Sequence, residues 1–142
     1  MKAEIVHIKG LTFTGRADSG HWVSLDTISD LGGNEGGTKP MEMLLLSLGG
    51  CTGMDVASIL KKMQVRYDGF EIEVEGEMAE EHPKVFEKIK LRYIFLGENI
   101  DTSKVEKAIT LSQDRYCPVT AMLKHSVDFD WELEINRPGN GE

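Results

Sequence analysis

Two side chains in this sequence can act as soft, redox-active nucleophiles: Cys51 and Cys117. Cys51 is surrounded by Gly49, Gly50 and Gly53 inside an otherwise helix-forming run. Each glycine in a helix interior costs ~1 kcal/mol relative to alanine. Close approach of a second backbone or a ligand to the Cys51 face is one reason for such a run. Plain helix packing around an inert thiol is the other, since free cysteine is among the most buried residue types. Cys117 precedes Pro118, which disfavours helical geometry at 117 and suits the first position of a new helix. Cys117 therefore falls at or beside a helix N-cap, where unpaired N–H groups and the helix dipole favour a thiolate.

Several other chemistries find no support. Two cysteines far apart in sequence form neither a disulfide framework nor a four-cysteine zinc site. His7, His21, His82 and His125 are scattered, with no metal-ligand spacing and no motif partner for a Cys/His hydrolase. The glycine-rich stretch 30–39 lacks the G-x-x-x-x-G-K-[ST] spacing of a phosphate loop. A net charge of -8 and a pI near 5.0 argue against nucleic acid and against an anionic membrane surface. Residues 1–15 have no uninterrupted apolar segment of a secretory signal, and the apolar run Met43–Leu46 is far too short to span a bilayer. A cytoplasmic setting is the default expectation, where a transient catalytic disulfide is more natural than a lasting one.

The elements that must position the thiols follow from periodicity. Residues 2–26 read as an antiparallel meander of two or three strands, with the second run stopping at Gly15 and Arg16 at a turn. Residues 27–39 form a long loop, made mobile by glycine, that is placed to serve as a lid or rim. Residues 40–63 read as one helix of ~36 Å, opened by Pro40, with Glu42 in its first turn, where the dipole favours an anion. From Met43 to Leu48 this helix is apolar all round and is expected to be buried on every side. Beyond Cys51 the apolar stripe narrows to Thr52, Val56, Ile59, Leu60 and Met63. Two strands follow, the first with an acidic outer row (Glu71, Glu73, Glu75, Glu77) and the second with a basic one (Lys88, Lys90, Arg92), as an antiparallel hairpin would pair them. A helix capped by Asp101 or Thr102, a break at Tyr116–Pro118, a short helix and a strand over 127–135 complete the chain. Segregated strands and helices predict an α+β fold. The chain is expected to be a single domain over residues 1–142, with 136–142 a loose tail. A helix longer than its neighbouring strands and apolar on all sides would be accommodated in an intertwined dimer.

The run Pro-Met-Glu-Met-Leu-Leu-Leu-Ser-Leu-Gly-Gly-Cys over 40–51, with Leu-Ser-Gln-Asp-Arg-Tyr-Cys-Pro-Val over 111–119, resembles the OsmC/Ohr family of thiol peroxidases, in a divergent OsmC-like branch. The resemblance implies an OsmC-like, two-layer α+β fold, with antiparallel sheets wrapped around the long helix in an intertwined homodimer. It implies active sites at the subunit interface that reduce organic hydroperoxides and hydrogen peroxide. Cys51 matches the peroxidatic cysteine and Cys117 the resolving one. The reductant implied is a small or lipoyl-type dithiol, with no metal, flavin or other cofactor. The family's carboxylate follows the proline directly; here that position is Met41, and Glu42 stands one residue later, rotated by about 100° on a helix. The family's activating arginine comes from the N-terminal hairpin, the region of Arg16, which Glu42 would hold; Arg115 is the alternative cation. A non-enzymatic dimeric module that binds a small molecule or senses oxidants is the competing reading.

Overall fold

The computed structural model describes residues 1–137, and the chain divides into two compact units, Met1–Leu44 and Leu45–Glu142.

The first unit is a three-stranded antiparallel sheet of order β1-β2-β3, with β1 (Ala3–Lys9), β2 (Thr12–Ala17) and β3 (Trp22–Leu25). The expected stop at Gly15 is not there. Gly15 pairs with Ile5 on one side and Val23 on the other, so the ladder carries the chain past it. Arg16 therefore lies in β2, opposite Glu4 and Trp22, and not at a turn. The following loop is pinned instead of loose. The Asp26 carboxylate accepts from the Thr12 hydroxyl at 2.7 Å and from the backbone N–H groups of Thr27 (2.8 Å), Asn34 (3.3 Å) and Gly36 (3.1 Å). Gly37 passes so close to Ser24 that a Cβ would sit 2.5 Å from its carbonyl. These hydrogen bonds, led by that of Thr12, hold the Asp26 carboxyl below the usual carboxylate range. All seven residues of β1 are exposed, and among the described residues of this unit no apolar side chain is buried.

The second unit holds most of α1 (Pro40–Lys62), whose bounds match the expected helix to one residue. Its buried residues are Leu48, Thr52, Val56 and Leu60, one stripe at i, i+4 spacing. The expectation of burial on all sides over Met43–Leu48 fails for the chain as described: Leu44 is 39% exposed and Leu46 60%. By length and composition alone α1 is long and apolar enough to cross a bilayer. Its buried stripe packs in one core with a three-stranded sheet. That sheet has order β4-β5-β6, from β4 (Gly69–Met78), β5 (Phe86–Leu96) and β6 (Asp128–Asn136). Ile89, Leu91, Tyr93 and Phe95 of β5 form its inner row, and Val105, Ala108 and Ile109 of α2 (Thr102–Leu111) join them in the core.

The charged rows pair as expected, Glu73 opposite Arg92, Glu75 opposite Lys90 and Glu77 opposite Lys88. The β5–β6 pair is parallel, so this sheet is mixed where antiparallel sheets were expected. Helical segments intervene between β5 and β6, and a crossover of that kind returns the chain in the same direction. The acidic row of β6 thereby flanks the basic row of β5: Lys90 pairs Glu132 at 2.7 Å, and Arg92 pairs both Glu73 (2.8 Å) and Glu134. Two of the glycines near Cys51 serve this packing. A Cβ at Gly49 would lie 3.1 Å from Val74 and one at Gly53 3.2 Å from Ile72, so the helix sits close against β4. Gly50 has nothing within 4 Å. The expected tail starts too early: β6 includes Asn136, and residues 138–142 lie outside the described residues.

Two outcomes test this packing. Leu60→Ala empties a fully buried position and is expected to lower unfolding free energy by about 2–5 kcal/mol, whereas exposed Met122→Ala changes it by less than about 0.5 kcal/mol, measured by denaturant melts. Asp26 has a lowered pKa in the folded chain, so its stabilisation is full above the ordinary carboxylate value and is lost as pH falls through the lowered one. Asp26→Asn should remove this acid limb and speed amide exchange at Asn34 and Gly36; an unchanged acid limb would contradict the anchoring role.

Candidate active site

Cys51 lies mid-way along α1, on the turn after Leu48, and Cys117 lies at the junction before α3 (Pro118–Leu123). Between α2 and that junction the backbone widens into a single π-turn over Ser112–Tyr116, closed by Cys117 N–H donating to the Ser112 carbonyl at 2.8 Å. Pro118, without an N–H, starts α3, and Cys117 is its N-cap: the Thr120 N–H donates to Cys117 Sγ at 3.4 Å. The local chemistry expected at Tyr116–Pro118 is thus present, with a wider turn than the sequence indicates.

The sulfurs of Cys51 and Cys117 and a carboxylate oxygen of Asp55 all lie within 4.8 Å of one another. Cys117 is buried and Cys51 half-buried, and both are free thiols. Burial pushes the Cys51 thiol up; the Val119 N–H, which donates to its sulfur, pulls the other way, and the neighbouring Cys117 and the Asp55 charge add to the rise. Two thiols and a carboxylate are also a donor set for a soft divalent cation such as zinc.

Behind these groups lies a buried polar cluster that sequence reasoning missed. Thr52 Oγ1 contacts the Tyr93 hydroxyl at 2.7 Å and Ser112 Oγ at 2.8 Å, and Ser112 Oγ donates to Asp55 Oδ2 at 3.1 Å. Gln113 Nε2 donates to both Thr52 Oγ1 (3.1 Å) and Tyr93 OH (2.6 Å), and its carbonyl accepts from Thr120 Oγ1 at 3.3 Å. Burial pushes the Tyr93 hydroxyl up to about 12, so it stays a donor at neutral pH. Asp55 could have been found from its i, i+4 spacing to Cys51 on a helix. The others depend on residues 20 to 61 positions away, which no local pattern reveals.

Arg16 and Glu42 are both in the first unit and, among the described residues, are engaged elsewhere. Arg16 pairs with Glu4 at 3.1 Å and lies 4.6 Å over the Trp22 ring. Glu42 reaches back to accept the Lys39 N–H at 3.0 Å and pairs with its ammonium at 3.3 Å, the return half of a capping box at the start of α1. These bonds hold the Glu42 carboxyl below its ordinary value. The expected Arg16–Glu42 pair is not formed, because each side chain has a nearer partner within its own turn or ladder. Arg115 lies over the Tyr116 ring at 5.4 Å.

Comparison with known proteins places this geometry among relatives. Residues 32–132 match the family model described as OsmC-like protein. The chain is 36% identical over 137 residues to protein YhfA of Escherichia coli K12, covering 95% of this chain and 98% of the relative. It is 32% identical to a solved hypothetical protein of Aquifex aeolicus, with a TM-score of 0.84 and 96% of each chain covered. An organic hydroperoxide resistance protein OsmC of Legionella pneumophila shares the fold at 15% identity and a TM-score of 0.71, over 94% of this chain and 95% of that one.

With Cys51 shifted upward, its thiolate fraction at neutral pH is below that of an ordinary cysteine. With Arg16 removed (Arg16→Ala), so that this arginine cannot reach the thiol, peptide-resolved iodoacetamide labelling should therefore give Cys51 a midpoint above that of a free cysteine; a midpoint below it would contradict the site's electrostatics.

Proposed function

We propose that this chain, which belongs to the OsmC-like protein family, is a thiol peroxidase that reduces organic hydroperoxides and hydrogen peroxide. The observation that carries the reading is the meeting of two thiols from remote segments within 4.8 Å, beside no other redox group among the described residues. Cys51 sulfur attacks the outer peroxide oxygen, the O–O bond breaks, an alcohol leaves and Cys51 becomes a sulfenic acid. Cys117 condenses with it to a disulfide and water, and a dithiol, lipoyl-type by the family resemblance, restores both thiols through a mixed disulfide. Half-exposed Cys51 fits the peroxidatic role and buried Cys117 the resolving one.

The working form in this reading is an intertwined homodimer. The first unit has no buried apolar side chain, α1 presents Leu46 and Met54 to solvent, and Gly50 faces open space beside the nucleophile. Apolar surface of that extent is what a second copy covers. Arg16 is the cation that lowers the Cys51 pKa in the assembled site, with Glu42 as its carboxylate partner, the pair forming after Arg16 exchanges Glu4. The protein is cytoplasmic and binds neither nucleic acid nor membrane.

The raised Cys51 thiol favours one rival, an oxidant-sensing or small-molecule-binding dimer without turnover. Turnover separates the two. Cumene hydroperoxide is consumed with dihydrolipoamide as electron source, Cys51→Ser abolishes turnover, and Cys117→Ser supports one oxidation and then accumulates sulfenic and higher acids. No consumption with several dithiols would leave the sensor. By light scattering the protein runs as a dimer; a stable monomer would contradict the assembly.

A further inference from the structure

Nothing in the two-cysteine cycle uses Asp55 or the hydroxyls behind it, and their geometry points to Asp55 as the proton shuttle between Cys51 and Cys117, aimed by a one-way hydroxyl chain Tyr93→Thr52→Ser112→Asp55. The inference rests on the dithiol reading above and deepens it.

The direction of the chain follows from counting hydrogens. A carboxylate only accepts, so the Ser112 hydroxyl donates to Asp55 Oδ2. Ser112 has one hydroxyl hydrogen, so at its 2.8 Å contact with Thr52 it accepts. The Thr52 hydrogen is then committed to Ser112, and Thr52 accepts from Tyr93 at 2.7 Å. Gln113 donates to both Thr52 and Tyr93, filling a second acceptor position on each, so the direction is set by the carboxylate end alone. Tyr93, Thr52 and Ser112 are fully buried, so the chain has no competing water, and hydroxyls aligned one way polarise one another toward the terminal carboxylate. It fixes Oδ2; among the described residues no protein group donates to Oδ1.

The titratable side chains facing Asp55 are Cys51 from its own helix, Cys117 from the α2–α3 junction and, through two hydroxyls, Tyr93 from β5. No described cation pairs with it. A negative charge beside a nucleophilic sulfur opposes storage of a thiolate. It suits a site that moves protons as bonds change, across a gap that one water or a small rotation spans. In the first step the Cys51 proton passes to Asp55 as sulfur attacks the peroxide, and from Asp55 to the departing alkoxide, giving the alcohol. In the second, Cys117 gives its proton to Asp55 as its electron pair forms the S–S bond. The S–O bond of the Cys51 sulfenic acid breaks, and hydroxide leaves as water with that proton. Asp55 ends each step as it began.

The test uses the full chain, comparing wild type with Asp55→Asn. Disulfide closure is followed by quenched mass spectrometry after diamide and, separately, after cumene hydroperoxide, from mildly acidic to alkaline pH. Diamide closes dithiols without a sulfenic acid: one thiolate adds to its N=N bond and the second thiol displaces the adduct, releasing the hydrazine, so it reports on proton removal from the two thiols apart from peroxide chemistry. The expected result is closure slowed about 100-fold or more at neutral pH with both oxidants, converging on wild type in alkali. Iodoacetamide labelling of Cys51 becomes faster, because a negative charge has gone. Ser112→Ala slows closure less, and Ser112→Thr restores it. Opposite signs for closure and labelling are what a merely structural residue would not give. Unchanged closure, or both rates falling together, overturns the assignment. Closure with diamide and not with peroxide would sink the peroxidase reading while leaving the shuttle measurable, and closure with neither would end both.

Discussion

The site depends on the buried polar contact between Thr52 and its partners Tyr93, Ser112 and Gln113. Four polar side chains in a dry interior are tolerable only if each finds its partner; an orphaned one costs about 1–3 kcal/mol. Among the described residues no buried side-chain nitrogen or oxygen is left unpaired. Satisfying all four at once fixes α1 relative to β5 and to the α2–α3 junction. A slide of α1 by one residue would rotate Thr52 away by about 100° and break its bonds to Tyr93, Ser112 and Gln113. The same slide would carry Cys51 away from Cys117. The hydrogen bonds thus set the distance between the sulfurs, which apolar packing alone leaves less sharply defined.

The surrounding elements serve that register. Gly49 and Gly53 let the helix settle on Val74 and Ile72 of β4, so the cost of glycine in a helix secures close packing on the side away from open Gly50. Ser112 and Gln113 open the π-turn and both point inward, Ser112 to Thr52 and Asp55 and Gln113 to Thr52 and Tyr93. Pro118 then ends the widened turn and leaves Cys117 as a cap whose sulfur is held by the Thr120 N–H. On the other face of the sheet, alternating acidic and basic rows keep β4, β5 and β6 in register without any part in the chemistry.

Much of this was legible in the sequence, and the limits have physical causes. Period-two alternation located the strands, and Pro40 with the 3.6-residue stripe gave α1 to within a residue. The Cys-Pro step located the α3 cap. Strand direction was not legible: the parallel β5–β6 pair follows from the path of the intervening helices, which periodicity does not record. By periodicity Thr52 belongs to an apolar stripe. It is on that stripe, but its hydroxyl is the hub of the cluster, and its partners lie 41 and 60 positions on. Gly15 in sequence marks a stop and puts Arg16 at a turn, whereas cross-strand pairing carries the strand through both. Glu42 was read for charge and proved to have a capping partner three residues back.

The central claim is that the two sulfurs form one redox unit, and a single measurement addresses it. The reduced protein is treated with one equivalent of organic hydroperoxide, digested under acid, and its cysteine peptides are weighed. The account predicts a peptide pair joined through Cys51 and Cys117, lighter than the sum of its parts by two hydrogens. Cys51 advancing to a stable sulfinic acid while Cys117 stays a free thiol, or both remaining reduced, would contradict it.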